Sequence, residues 1–171
     1  MLAVKPEYIM STQISLEPLR KNLLECLDEV FNQGHAHFLD KGTSLFPTIN
    51  EVSAVEASQS AATNGATIAA HVAHARFYID VLDEIMRSKQ ITKVNWREIW
   101  ETVKSVTPEE WDKERERLKQ SHDRVMATIN AFQQWDDYDI GGAISVLAHT
   151  SYHLGAIRQA LAVVRSRTSN A

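Results

Sequence analysis

The stretch Gly142–Val164, GAISVLAHTSYHLGAIRQALAVV, decides how the chain is read. Ile144, Leu147, Ala148, Leu154, Ile157, Leu161 and Val164 supply apolar side chains at helical spacing. Gly141 and Gly142 precede the run, and Arg165 and Arg167 close it, as the helix macrodipole favours. The spacing predicts one helix of roughly 33 Å at about 1.5 Å per residue. His149 and His153 stand in its middle, four residues apart, which puts two imidazoles on one face, one turn apart. That side also carries Val146, Ala156, Ile157 and Ala160, so both rings are expected to point inward. Two neutral imidazoles converging in partly apolar surroundings are half of a divalent-metal site. By themselves they read equally as buried histidines satisfied by their neighbours. A third ligand from another part of the chain is what separates the two readings.

Composition narrows the class. A chain of 171 residues predicts one domain, residues 1–171, with its core over about 15–165. Hydrophobic residues at 44% and charged residues at 23% are those of a globular protein with a full core. Only 6 glycines and 4 prolines argue against a turn-rich all-β fold. A net charge of −4 offers no electrostatic footprint for nucleic acid or an anionic membrane. The single cysteine, Cys26, forbids an internal disulfide and sits in a helical apolar stripe, where a core role is expected. No apolar run reaches a membrane-spanning length, and MLAVKPEYIM has no signal-peptide pattern, so a cytoplasmic location is expected.

Four long helices are predicted. The first runs from Ser15 to about Asp40, with Leu16, Leu19, Leu23, Leu27, Val30, Phe31 and Phe38 in its stripe. His35 and His37, two apart, cannot share a face and read as surface or helix-end residues. Lys41 to about Asn64 reads as a long connection, with Leu45-Phe46-Pro47 folding over one end. The second long helix runs from Gly65 to about Arg87, with Ile68, Val72, Ala75, Ile79, Leu82 and Met86 facing the core. His71 is near the centre of that stripe and His74, one turn later, at its margin. VNWREIWETV is read as a short helix whose Trp96 and Trp100 share a face as a packing plug. Thr107-Pro108-Glu109-Glu110 is a strong start for a third long helix to about Phe132: Thr at the cap, Pro in the first turn and Glu three residues on. His122 lies in a polar stretch of it and is expected on the surface. Gln133–Gly142 is the expected turn into the last helix. The fold class predicted is all-α: a four-helix bundle of helices of roughly 22–28 residues, with long connections after the first and second.

Such a bundle brings His149 and His153 together with His71 or His74. Three imidazoles that leave a fourth position open make a catalytic rather than a structural divalent site. Neutral histidines are required, so metal binding should weaken in acid.

TIAAHVAHARFYIDVL (67–82) followed by AHTSYHLGAIRQAL (148–161) resembles the DinB/YfiT-like superfamily of metal-binding four-helix bundles. HxxxHLGxIRQ, with His149, His153, Gly155, Ile157, Arg158 and Gln159, is the most specific piece, and NWREIW and TPEEW also resemble its members. The resemblance implies three histidine ligands at one end of the bundle, holding zinc, nickel or a similar ion. It places the first ligand at His74, whereas helical periodicity favours His71, which would then act as a substitute or as a partner behind the ligands. The usual small-acidic continuation is replaced by Ala75-Arg76-Phe77. Three functions are carried forward. The first is a metal-dependent S-transferase using a low-molecular-weight thiol as co-substrate on a small-molecule electrophile. The second is metal-dependent hydrolysis, with Asp80, Asp83 and Glu84 too far down the helix to act as base. The third is a non-catalytic dimeric stress protein. A homodimer is expected by analogy with the fold. Tyr152 is expected to make packing or dimer contacts, Arg158 to have a structural role, and Gly155 to permit close helix approach.

Overall fold

The computed structural model describes residues 15–34, 37–91 and 93–169. His35 therefore lies outside the described residues. Among them the chain is all-helical: α1 (Leu16–Phe31), α2 (Leu45–Asn50), α3 (Ala54–Ala57), α4 (Ile68–Ser88), α5 (Glu98–Thr102), α6 (Pro108–Ala131) and α7 (Asp137–Ser169). The pairing of Ser60 with Thr67 is an isolated antiparallel bridge. No helix among the described residues is long and apolar enough to cross a membrane.

Capping chemistry sets most of the starts. At α6 the Thr107 hydroxyl accepts the Glu110 N–H at 3.2 Å, and the Glu110 carboxylate accepts the Thr107 N–H at 2.8 Å. At α4 the Thr67 hydroxyl accepts the Ala70 N–H at 3.2 Å. Lys89, in the left-handed conformation at φ 57°, ends that helix.

Several boundaries differ from the expectation: α4 starts at Ile68 rather than Gly65, and the expected 41–64 connection contains the short helices α2 and α3. The first helix stops at Phe31 instead of running to about Asp40. The wholly buried Glu29 carboxylate accepts the backbone N–H groups of His37, Phe38 and Leu39 at 3.1, 3.3 and 2.9 Å. These bonds fold the chain back over the helix end, and Phe38 is left 46% exposed rather than in the core. The last helix starts at Asp137, inside the expected turn. Asp136 and Asp139 exchange carboxylate–amide hydrogen bonds at 2.9 and 3.2 Å, so two acidic residues that read as loop act as a cap. Gly142 then falls within the helix, where a Cβ would come 2.5 Å from Met86 Sδ. The close approach of α7 to α4 occurs there and not at Gly155, whose missing Cβ would point into open space.

α4 packs against α7 and α6, and α1 packs against α7. Leu27, Phe31, Ile68, Ile79, Leu118 and Ile157 are at most 1% exposed and tie these helices to one core. Each such side chain contributes roughly 1.5–3 kcal/mol by leaving water. The buried face of α7 carries Val146, Thr150, His153 and Ile157, while Ile144, expected inside, is exposed. The 41–64 connection is ordered by its own apolar residues: Leu45 and Ile49 are fully buried, and Trp111 of α6 donates its indole N–H to the Val52 carbonyl at 2.7 Å. His122 is not on the surface. It is buried with its ring 4.6 Å from Phe31 and 5.3 Å from Phe46, because the α2 segment folds over it. Cys26 is half-buried, and burial raises its thiol pKa, with Glu29 and Glu25 adding to the shift.

Candidate metal centre

The helical spacing of α4 and α7 brings four histidines to one place. His71 and His74 project from α4, and His149 and His153 from α7. Ring centroids are 5.1 Å apart for His74 and His149, 4.4 Å for His149 and His153, and 5.0 Å for His74 and His153. One nitrogen from each of these three lies within 4.8 Å of the others, and the group can hold a metal ion. A tetrahedral ion with bonds of about 2.0–2.1 Å sets its ligand nitrogens roughly 3.3 Å apart, so side-chain rotations of about 1 Å close the set. His74 and His153 are buried and His149 half-buried.

His71 has a different part. Its Nδ1 lies 3.1 Å from His153 Nδ1, a hydrogen bond that engages that nitrogen of the His153 ring. This is the arrangement in which a neighbour orients a ligand through its second ring nitrogen. Of the two candidates for the first ligand, His74 is thus the one in the three-nitrogen group and His71 the one behind it.

The electrostatics suit a cation. Burial, with the neighbouring His74 adding to it, brings the His149 pKa down to about 4. Burial and then His149, His71 and His74 bring that of His153 to about 3. Burial also lowers His74, and burial followed by His74 lowers His71. All four are neutral at pH 7 and offer lone pairs. Two buried nitrogens, His74 Nδ1 and His149 Nε2, have no hydrogen-bond partner. An unpartnered buried polar atom costs about 1–3 kcal/mol, and coordination would satisfy both. The residues present therefore fit a divalent ion.

Aromatic rings close the site, and the sequence reading did not assign them to it. Tyr78 stacks on His149 at 3.5 Å and 12°. Its position one turn after His74 was the available signal. Trp100 lies 4.4 Å from His74, 5.4 Å from His71 and 5.9 Å from His153. Trp96 packs on Tyr78, Phe77 and His74 at 5.2, 5.7 and 6.3 Å. Nothing local to VNWREIWETV reveals that contact.

Other candidates lie elsewhere. Asp80 pairs with Arg76 and Arg124, Asp83 with Arg87 and Thr128, and Glu84 with Arg87. Tyr152 touches the edge of His153 at 5.0 Å but is 70% exposed. Exposed Arg158 lines a separate cavity with Thr48, Leu161 and Arg165. His37 is bonded to Glu25 at 3.2 Å, away from the group. Compared with protein-family models, with curated proteins and with solved structures, the chain matches none.

Proposed function

We propose that α1, α4, α6 and α7 form a DinB/YfiT-like four-helix bundle and that the protein is a divalent-metal-dependent enzyme, an S-transferase for a low-molecular-weight thiol. The observation that carries the reading is the group His74, His149 and His153: three neutral imidazoles from two helices, two of them with unpartnered buried nitrogens. Zinc or nickel suits an all-imidazole donor set. When bound, such an ion supplies the Lewis acidity that keeps a thiol sulfur as thiolate at neutral pH.

The chain's own residues do the rest. His74, His149 and His153 hold the ion, His71 orients His153, and the stacked Tyr78 fixes the plane of His149. Trp100 covers His74 and His153 against bulk water. Hydrolysis is the weaker reading, because the three carboxylates on α4 nearest in sequence are held in ion pairs. Exposed Ile144 and Tyr152 on α7 support a homodimer.

Two measurements test the proposal. Elemental analysis of protein purified without a histidine tag should give close to one zinc or nickel per chain after incubation with the ion. Conjugation of a model electrophile should then require both metal and a thiol co-substrate. A ratio near zero leaves a non-catalytic helical protein. A loaded protein inactive with every thiol tried rejects the transferase reading.

A further inference from the structure

Of the four tryptophans, Trp111 and Trp135 pack on the core away from the histidines, and Trp96 and Trp100 lie beside them. Trp111 is structural: it is 2% exposed and its indole N–H is bonded to a backbone carbonyl. Trp96 is 39% exposed and Trp100 half-buried, and neither indole N–H has a hydrogen-bond partner among the described residues. Their rings lie instead against His74, His71, His153 and Tyr78.

The segment that carries them, residues 93–102, is held in an unusual way. It contains α5, which has no buried residue. Its hydrogen bonds are all local: Arg97 N–H to the Asn95 side chain, Thr102 hydroxyl to the Glu98 carbonyl, and Lys104 ammonium to the Trp100 carbonyl. Among the described residues no hydrogen bond or ion pair joins 93–102 to another element. Its flanks, by contrast, are fixed. Upstream, Lys89 is ion-paired with Asp136 and Asp139. Downstream, Val106 and Ser58 exchange two hydrogen bonds, at 3.0 and 3.3 Å, and Val103 packs on the core. A cavity of about 350 Å³ lies beside the downstream end, lined by Thr102, Val103, Ala69, Ala73 and Glu114. The strap thus has anchored flanks, room on one side, and a grip of tilted and edge-to-face ring contacts with half-buried Val94 and Ile99, without a hydrogen bond or ion pair to another element among the described residues.

We propose that residues 93–102 are an aromatic lid over the three-histidine group, and that Trp96 and Trp100 select, for the free coordination place, a thiol whose sulfur carries a flat aromatic group. This rests on the metal reading above. What sets Trp96 and Trp100 apart is their place: Trp111 and Trp135 pack on the core with no ring contact to the histidine group, whereas these two lie against it. Here the two indoles present π-faces beside the ligands, continuous with Phe77 and Tyr78. Such a wall favours stacking by an aromatic ring, a gain that aromatic pairs make beyond the area they bury. Segments held by few buried contacts open at low cost, and lids belong to that class.

The test uses the full chain loaded with cobalt(II), with thiophenol and ethanethiol as probes, each followed by its sulfur-to-cobalt charge-transfer band. The preference for thiophenol over ethanethiol should fall about tenfold in Trp100→Ala and less in Trp100→Phe, with Trp96→Ala as a second variant. Comparing ratios between variants cancels the difference in thiol acidity. Amide exchange of residues 96–103 should slow several-fold when thiophenol binds. An unchanged preference in both alanine variants, or strap amides that ignore thiophenol, overturns the proposal. Should no cobalt bind, the metal reading fails by itself. The lid is then judged in metal-free protein, where strap amides unmoved by saturating thiophenol overturn it.

Discussion

Acid should destabilise this protein through its histidines, and the direction follows from the fold. His149 and His153 titrate near 6.5 when unfolded, but near 4 and 3 when folded. Their folded pKa values are depressed, so the unfolded state takes up protons first as the pH falls. The stability they contribute is complete above pH 6.5 and is lost on the way down towards pH 3–4. Between pH 6.5 and 4.5, one imidazole kept neutral in the fold is worth about 2 kcal/mol. His153, 2% exposed, accounts for nearly all of that. Half-buried His149 is discounted for solvent screening to about 1 kcal/mol. The metal-free protein in EDTA should therefore lose about 3 kcal/mol over this interval through the pair. With a urea m value of about 2 kcal/mol/M, the midpoint falls by about 1.5 M. The control is the double variant His149→Gln, His153→Gln. Its stability at pH 7 will differ for packing reasons, but its change between pH 6.5 and 4.5 should be smaller by that amount. Equal losses in the two proteins would mean that the imidazoles are not held neutral by burial, and the electrostatic argument for the metal centre would go with them.

Saturating zinc at about 100 times Kd should stabilise the protein by about 2.7 kcal/mol in chemical denaturation, with the gain abolished by EDTA and absent in His74→Ala. Trp111→Phe should cost about 1–2 kcal/mol in urea unfolding, because the Val52 carbonyl loses its donor while the ring volume is largely kept. Two of the three α7 glycines should part company: Gly155→Ala should be neutral or stabilising by up to about 1 kcal/mol, since its Cβ meets nothing. Gly142→Val should destabilise by about 1–3 kcal/mol, since Met86 fills that space; equal effects at both positions would contradict the helix contact described.

What could be read directly from the chain was what depends on neighbours within one helix. The Thr107-Pro108-Glu110 start is such a case, because its capping bonds join residues three apart. His149 and His153 are another: four residues of helix put both on one face wherever the helix goes. The site could be anticipated to that extent, and the resemblance placed the first ligand at His74, the residue found in the three-nitrogen group.

The remainder depended on partners distant in sequence. Glu29 ends α1 by gathering three amides from beyond the helix, and no propensity scale contains that event. His122 looked polar and exposed because its sequence neighbours are, yet α2 lays Phe46 against it. Trp96 and Trp100 were legible as a pair but not as a roof over imidazoles, since they come from a different segment of chain. The amino-acid order by itself determined helix type, the starts of α1 and α6 and which histidines share a face, because helical hydrogen bonds and capping are local. Only the tertiary structure decided which histidine completes the group, which glycine admits a neighbouring helix and what covers the rings, because those outcomes depend on how α4, α5 and α7 come to lie together.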